Sequence, residues 1–224
     1  MKTLIVKYIP RYEQSNTKKL LDAFIEQISN SDVEELDLLD DVPDMLLDYN
    51  LLAYINRNFL GLKLLPNEKK LLSKMDRMAT QLKSADIIVI AFPMYNFSMP
   101  AIVKAWFDSV MQKGVTFGAK TDGQIATSNA GLISSGGVYS NKSYQNKEHA
   151  LSLSNLEFQY MGYSDVRGIL AEGMEMNEEI KQINLNKSIY QVKEIAKKWY
   201  KKDGYKNIMC INHNNRKTKL DKTR

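Results

Sequence analysis

The residues from Pro93 to Met99, Pro-Met-Tyr-Asn-Phe-Ser-Met, put two aromatic rings and an amide directly after an unbroken apolar run, Ile87 to Phe92. Connecting loops are ordinarily short and polar. Met94, Tyr95, Asn96 and Phe97 instead offer flat apolar surface beside hydrogen-bonding groups, which suits a planar ring with polar edges. Two other segments carry different chemistry. Pro10 to Lys18 combines the hydroxyls of Ser15 and Thr17 with the cations Arg11 and Lys18 at the entry to a helix. Helix amino-terminal N–H groups and such hydroxyls can cradle a phosphate, although Ser15, Asn16 and Thr17 also make an ordinary helix cap. Ser134-Ser135-Gly136-Gly137 lets backbone approach a flat ligand, because two successive residues lack a Cβ; it equally makes a plain turn.

Elements that would position these segments are legible in the hydropathy pattern. Ile87-Ile88-Val89-Ile90-Ala91-Phe92 reads as a strand buried on both faces of a parallel sheet. Pro100 then sits where a first-turn proline is tolerated, and Ile102, Val103, Trp106, Phe107 and Val110 recur at helical spacing up to Lys113, with Gly114 placed to end the helix. Lys2 to Ile9 and Val33 to Leu39 are strand-like, with a helix between them from Ser15 or Asn16 to about Ser29. Met45 to Asn58 forms a helical excursion that breaks the rhythm, and Asn67 caps a helix running to Lys83. Ala130 to Ser134 and Asp165 to Leu170 are two further strands. Lys147 to Met161 is expected to be helical, as is Glu178 to Lys202, with Ile180, Ile183, Ile189, Val192, Ile195 and Trp199 facing inward. Five strands alternating with helices call for a doubly wound parallel α/β sheet with helices on both faces. In the strand order 2-1-3-4-5, the loops after strands one, three and four open on one edge, where ligands of such sheets bind.

Composition narrows the class. At 224 residues, 44% apolar and 25% charged, the chain suits one globular domain. No apolar run approaches the roughly 18 residues of a membrane span, and the start lacks a signal-peptide pattern, so the expected location is the cytoplasm. One cysteine, Cys210, and two histidines, His149 and His213, leave no basis for a disulfide or a metal site. The net charge of +5 is misleading: residues 201–224 hold eight Lys and Arg against two Asp, so residues 1–200 sum to −1. A basic polar tail after a near-neutral body is not a nucleic-acid footprint. The expected division is a domain over 1–202 and a solvated tail over 203–224.

The chain has neither G-x-G-x-x-G nor G-x-x-x-x-G-K-[ST], which weakens the dinucleotide-Rossmann and P-loop readings. Pro93-Met94-Tyr95-Asn96-Phe97-Ser98-Met99-Pro100, with Lys104-Ala105-Trp106-Phe107-Asp108 and Gly114-Val115-Thr116-Phe117, resembles the signature of FMN-dependent NADH-azoreductases and their quinone-reductase relatives, a flavodoxin-like family. Ser15-Asn16-Thr17, Ser134 to Gly137 and Glu172-Gly173-Met174 extend the likeness over most of residues 1 to about 200. The resemblance implies that Ser15, Asn16 and Thr17, with Arg11 in support, hold the FMN phosphate. It implies that Pro93, Met94, Tyr95, Asn96 and Phe97 lie along the isoalloxazine, and that Ser134, Ser135, Gly136, Gly137 and Tyr139 meet its pyrimidine side. NAD(P)H would give hydride to flavin N5, and a quinone or azo compound would then take two electrons at the same place.

Where the family commonly has Ser-Gln-Ser, this chain has Glu13-Gln14-Ser15, so a carboxylate replaces a hydroxyl beside the phosphate. Its Ser-Arg-Gly-Gly is Ser134-Ser135-Gly136-Gly137 here, and the Arg-Tyr after Gly-Val-Thr-Phe is Gly118-Ala119; both changes fall on the substrate side. Tyr139 and His149 are the candidate proton donors, weighed against a packing aromatic and an exposed residue of a charged segment. The resemblance also implies a homodimer with its substrate pocket at the interface, to which Phe59, Phe158 and Tyr160 would contribute. Two other functions compete: a flavodoxin-type electron carrier, disfavoured by a near-neutral body because carriers dock through acidic surfaces, and a flavin-free binding protein on the same fold.

Overall fold

A computed structural model describes residues 1–28, 31–118, 129–141 and 143–200. The ends of the first and last expected helices, Gly118-Ala119 beyond Gly118, and the 203–224 tail with Cys210 and His213 lie outside the described residues. Five parallel strands form one sheet in the order β2-β1-β3-β4-β5: β1 Lys2–Lys7, β2 Asp32–Asp37, β3 Ile87–Pro93, β4 Asn129–Ser135 and β5 Asp165–Ala171. The register aligns Ile5 with Val89 and Ile90 with Leu132, so the carboxyl ends of β1, β3 and β4 finish together.

The apolar run of β3 has a direct physical cause. Ile88, Ile90 and Phe92 pack into one core with Leu4, Val6, Val103, Trp106, Phe107 and Phe158, while Ile87, Val89 and Ala91 pack into another with Ile5, Leu20, Phe24, Val192 and Trp199. Successive residues of a strand point to opposite faces, so a strand covered on both sides is apolar at every position. The first core lies under the helices α4 Ser73–Ser84, α5 Ala101–Val110 and α6 Leu151–Tyr160; the second lies under α1 Asn16–Ile25 and α7 Glu178–Tyr200.

Between β2 and β3 the chain leaves the sheet through α2 Asp48–Asn58 and α3 Pro66–Leu71. The expected single helix over 67–83 is therefore two, broken at Leu72, whose φ of −98° and ψ of 0° carry it out of the helical ladder while its side chain fills a small core with Ala53, Tyr54, Leu64 and Met75. Clips hold this excursion to the end of α5. Arg57 forms a two-pronged pair with Asp76 at 2.6 and 2.8 Å and reaches Gln112, and the Asn58 amide donates to the Lys113 carbonyl. The excursion's outer face is apolar: Met45, Leu52, Phe59, Leu60, Leu62 and Leu65 are all exposed.

Two boundaries shift from expectation. α6 begins at Leu151, not Lys147, because the Glu148 carboxylate accepts from the N–H groups of Ala150, Leu151 and Ser152 and so fixes the start of the helix. On α7, Ile183 is 60% exposed, and the buried positions are Leu185, Ser188, Val192, Ala196 and Trp199.

Candidate active site

The middle loop is a two-residue turn. Tyr95 N–H donates to the Ser98 carbonyl and Ser98 N–H to the Tyr95 carbonyl, each at 3.0 Å, and the central residues Asn96 and Phe97 have φ of +48° and +71°. Both central residues at positive φ is the pattern of a type I′ turn, normally made by Asn-Gly. Phenylalanine in that region costs of order 1–3 kcal/mol, and such strain concentrates at ligand sites. The surroundings enforce it: Met94 N–H continues the sheet to the Ser135 carbonyl at 3.0 Å, and His149 N–H donates to the Phe97 carbonyl at 2.8 Å. The N–H groups of Asn96 and Phe97 have no partner among the described residues. Phe97, 50% exposed, meets Tyr139 edge-on at 6.4 Å.

At the carboxyl end of β1, Ser15 caps α1, its hydroxyl accepting from Lys18 N–H at 3.3 Å. The N–H groups of Asn16 and Thr17 fall in the first turn, where a helix offers no internal acceptor, so the positive end of α1 opens toward the other two loops. Thr17 is fully buried and its hydroxyl lies 2.8 Å from that of Ser135, which leaves only its N–H for an anion. Lys18 is committed to Asp22 at 2.8 Å and to Glu13 at 3.4 Å. The Glu13 carboxylate is therefore held by a cation and strongly exposed. Arg11 is exposed, with no ion pair among the described residues, and its charge is felt at Tyr95. Burial, with the nearby Tyr8 phenol, raises the Tyr95 pKa above its usual value, and Arg11 opposes that rise.

The third loop is tight at Gly136 and leaves only ordinary contact distance at Gly137. A Cβ on Gly136 would stand 3.1 Å from the Met94 Cβ, and one on Gly137 would touch the Tyr139 ring. This loop is stitched to the segment after β5: Gly136 N–H donates to the Ala171 carbonyl, Met174 N–H to the Gly136 carbonyl, and Tyr139 N–H to a Glu172 carboxylate oxygen at 2.8 Å. Burial, then the carboxylates of Glu175, Glu148 and Glu172, raise the Tyr139 pKa, so the phenol keeps its proton at neutral pH and is available as a hydrogen-bond donor. Phe97, Val138, Tyr139, Asn141 and Tyr144 line an open hollow of about 360 Å³ in front of the strained turn.

Other expected site residues are placed as follows. Ser134 is fully buried and its hydroxyl donates to the Phe92 carbonyl at 2.7 Å, so its role is to join β4 to β3. Phe158 is a core residue, wholly buried 5.2 Å from Phe107 and 5.0 Å from Tyr163; its assignment to a substrate pocket is corrected on that ground. Tyr160 is 63% exposed and packs on Phe117 at 5.1 Å. Phe59 is 51% exposed, with the Lys113 ammonium 4.6 Å from its ring centre. The His149 side chain is exposed; its backbone is what buttresses the turn. Glu172, which fixes Tyr139, and Tyr8, beside Tyr95, were outside the expected set. Glu172 lies in the Glu172-Gly173-Met174 segment that carries part of the family likeness, which gave it no role, and no local motif marks Tyr8.

Three loops at one sheet edge, one ending in a helix amino terminus and one in paired glycines, place the chain in the doubly wound α/β class, whose ligands bind at that edge. The chain belongs to the flavodoxin-like fold family, whose model matches residues 1–195. It is 36% identical over 137 residues to the FMN-dependent NADH:quinone oxidoreductase 1 of Idiomarina loihiensis, covering 59% of this chain and 72% of that one. It is 29% identical to the protein of the same name in Bacillus anthracis, over 77% of this chain and 84% of the relative. Among solved structures, an FMN-dependent NADH-azoreductase from Bacillus anthracis in complex with FMN superposes with a TM-score of 0.77 at 26% identity, covering 89% of this chain and 99% of that one. Among the described residues no helix is long and apolar enough to cross a membrane.

Proposed function

We propose that this protein is an FMN-dependent NAD(P)H:acceptor oxidoreductase that reduces quinones or azo compounds by two electrons. The observation that carries the reading is the convergence of unpartnered N–H groups, from Asn96 and Phe97 and from the first turn of α1, with the Cβ-free face of Gly136 and Gly137 on one sheet edge. A flat ligand with a phosphate at one end and acceptor atoms along its ring satisfies all three. The names of the similar proteins agree.

In this reading Ser15, the N–H groups of Asn16 and Thr17, and Arg11 hold the phosphate. Met94, Tyr95 and the strained turn line the ring, and the turn's N–H groups address its polar edge. Gly136 and Gly137 admit the other side. When bound, FMN would supply the two-electron redox chemistry between NAD(P)H and the acceptor. The protein's share is orientation: Phe97 and Tyr139 wall the hollow where a second planar molecule stacks, and the Tyr139 phenol donates a hydrogen bond to its polar atom. His149 contributes through its backbone.

The exposed leucines of the excursion, with Phe59, are the surface through which a second copy docks. An apolar patch of this extent is uncommon on a monomer, and Phe59 and Tyr160 then reach the neighbouring pocket. The same reading puts the enzyme in the cytoplasm. Purified protein reconstituted with FMN is the test: it should oxidise NADH in the presence of a quinone, and sedimentation should give a dimer that Leu52→Glu with Leu60→Glu dissociates. Protein that binds no FMN would refute the reading, and so would flavin that NADH leaves oxidised.

A further inference from the structure

A second hollow lies beside the site, past the ridge of residues 138–141. It measures about 310 Å³ and shares Val138 with the aromatic hollow, but its lining is polar: Ser140, Glu172, Asn184, Lys187, Ser188 and Gln191, over Leu170 and Met176. Ser188 is 5% exposed and its hydroxyl has no partner among the described residues. That hydroxyl is not closed off, since the buried side-chain polar atoms without a partner among the described residues belong to Trp106, Glu157 and Tyr163; it opens to the hollow and is available to a ligand there. The Asn184 amide donates to the Glu172 carbonyl, which leaves its oxygen free; one Glu172 carboxylate oxygen takes Tyr139 N–H and the other has no partner.

This is a set of hydroxyls, amide groups and one carboxylate oxygen, with a single cation at the rim. Polyols are recognised by such groups, and in dinucleotide sites a carboxylate commonly binds a ribose diol. The lone lysine suits a diphosphate as a point charge. We infer that this hollow seats the nicotinamide-side ribose and the diphosphate of the electron donor while the nicotinamide ring occupies the aromatic hollow across Val138. Glu172 and Ser188 bond the sugar, and Lys187 meets the diphosphate. The inference rests on the proposed donor, and the same ridge then connects ring and arm: Glu172 fixes Tyr139 with one oxygen and reads the sugar with the other.

The probe is ADP-ribose, which carries ribose and diphosphate but no nicotinamide ring. Calorimetry on FMN-loaded protein should show it binding, and Lys187→Ala and Ser188→Ala should each weaken it about fivefold or more. NADH should show the same rise in KM, while kcat, the KM for quinone and the FMN dissociation constant stay unchanged. ADP-ribose that binds both variants as tightly as the parent would overturn the assignment, as would its failure to bind a protein whose flavin NADH still reduces. Flavin that NADH fails to reduce would instead overturn the donor reading itself.

Discussion

The hydroxyls of Thr17 and Ser135 lie 2.8 Å apart, joining the entry of α1 to the end of β4 across 118 positions of sequence. Each residue matches a cofactor contact by sequence; in the fold their side chains serve each other and set the spacing between the phosphate end and the glycine loop. Thr17→Val keeps the volume and removes the bond, whose net worth is about 1 kcal/mol. FMN affinity, measured by quenching of flavin fluorescence, should fall about fivefold. An unchanged affinity would show that the loops hold their spacing without this pair.

The turn at Asn96-Phe97 carries strain that glycine would not. Phe97→Gly removes an exposed ring and relaxes a positive φ, so the thermal midpoint of the apo protein should hold or rise. Quinone reduction should fall, because the wall of the hollow is lost. A midpoint lowered by several degrees would mean that the Phe97 ring contributes more to stability than its φ costs.

Phe158 and Tyr160 are two residues apart with opposite exposure, the first wholly buried and the second open to solvent. Phe158→Ala should cost about 3–5 kcal/mol in denaturant unfolding, as a large cavity in a closed core does, and should leave KM unchanged in the folded fraction. Tyr160→Ala should leave stability within about 0.5 kcal/mol and raise the KM for bulky acceptors.

Much of the architecture was legible because burial on both faces leaves a plain mark: the run from Ile87 to Phe92 can be little else than a central parallel strand. Finer features were hidden for physical reasons. The break at Leu72 is one residue long and apolar, so periodicity runs through it. The faces of α6 differ by two positions, too little to tell Phe158 from Tyr160 before packing is known. A type I′ turn made by Asn-Phe lacks the glycine that announces it, because neighbouring hydrogen bonds from Met94 and His149 impose the geometry. The partners Glu172 and Tyr139 meet only once the sheet is assembled.

Glu157 on α6 gives the fold a pH dependence. It is buried with one carboxylate oxygen unpartnered and Lys104 at 3.7 Å, and Lys104 is also paired with Asp108. Burial pushes its pKa up to about 7, Lys104 opposes the rise and Asp108 adds to it. Since the folded value lies above the unfolded one, this stabilisation is complete below about pH 4.5 and is lost as pH rises through about 7. Across that window stability should fall with a slope that approaches but does not exceed the ~1.4 kcal/mol per pH unit of one full proton, the pull of Lys104 being already contained in the folded value. Glu157→Gln should flatten that slope in urea unfolding at several pH values; an identical slope in the variant would assign the dependence elsewhere.

The central claim is that three loops on one sheet edge hold a flavin that passes electrons from a nicotinamide donor to a planar acceptor. Anaerobic titration of the FMN-loaded protein with NADH, followed by addition of a quinone in the same cuvette, tests it most directly. The account predicts bleaching of the flavin band at one equivalent of NADH and its full return on adding quinone. A flavin band that NADH leaves intact, or that stays bleached after the quinone, would contradict it.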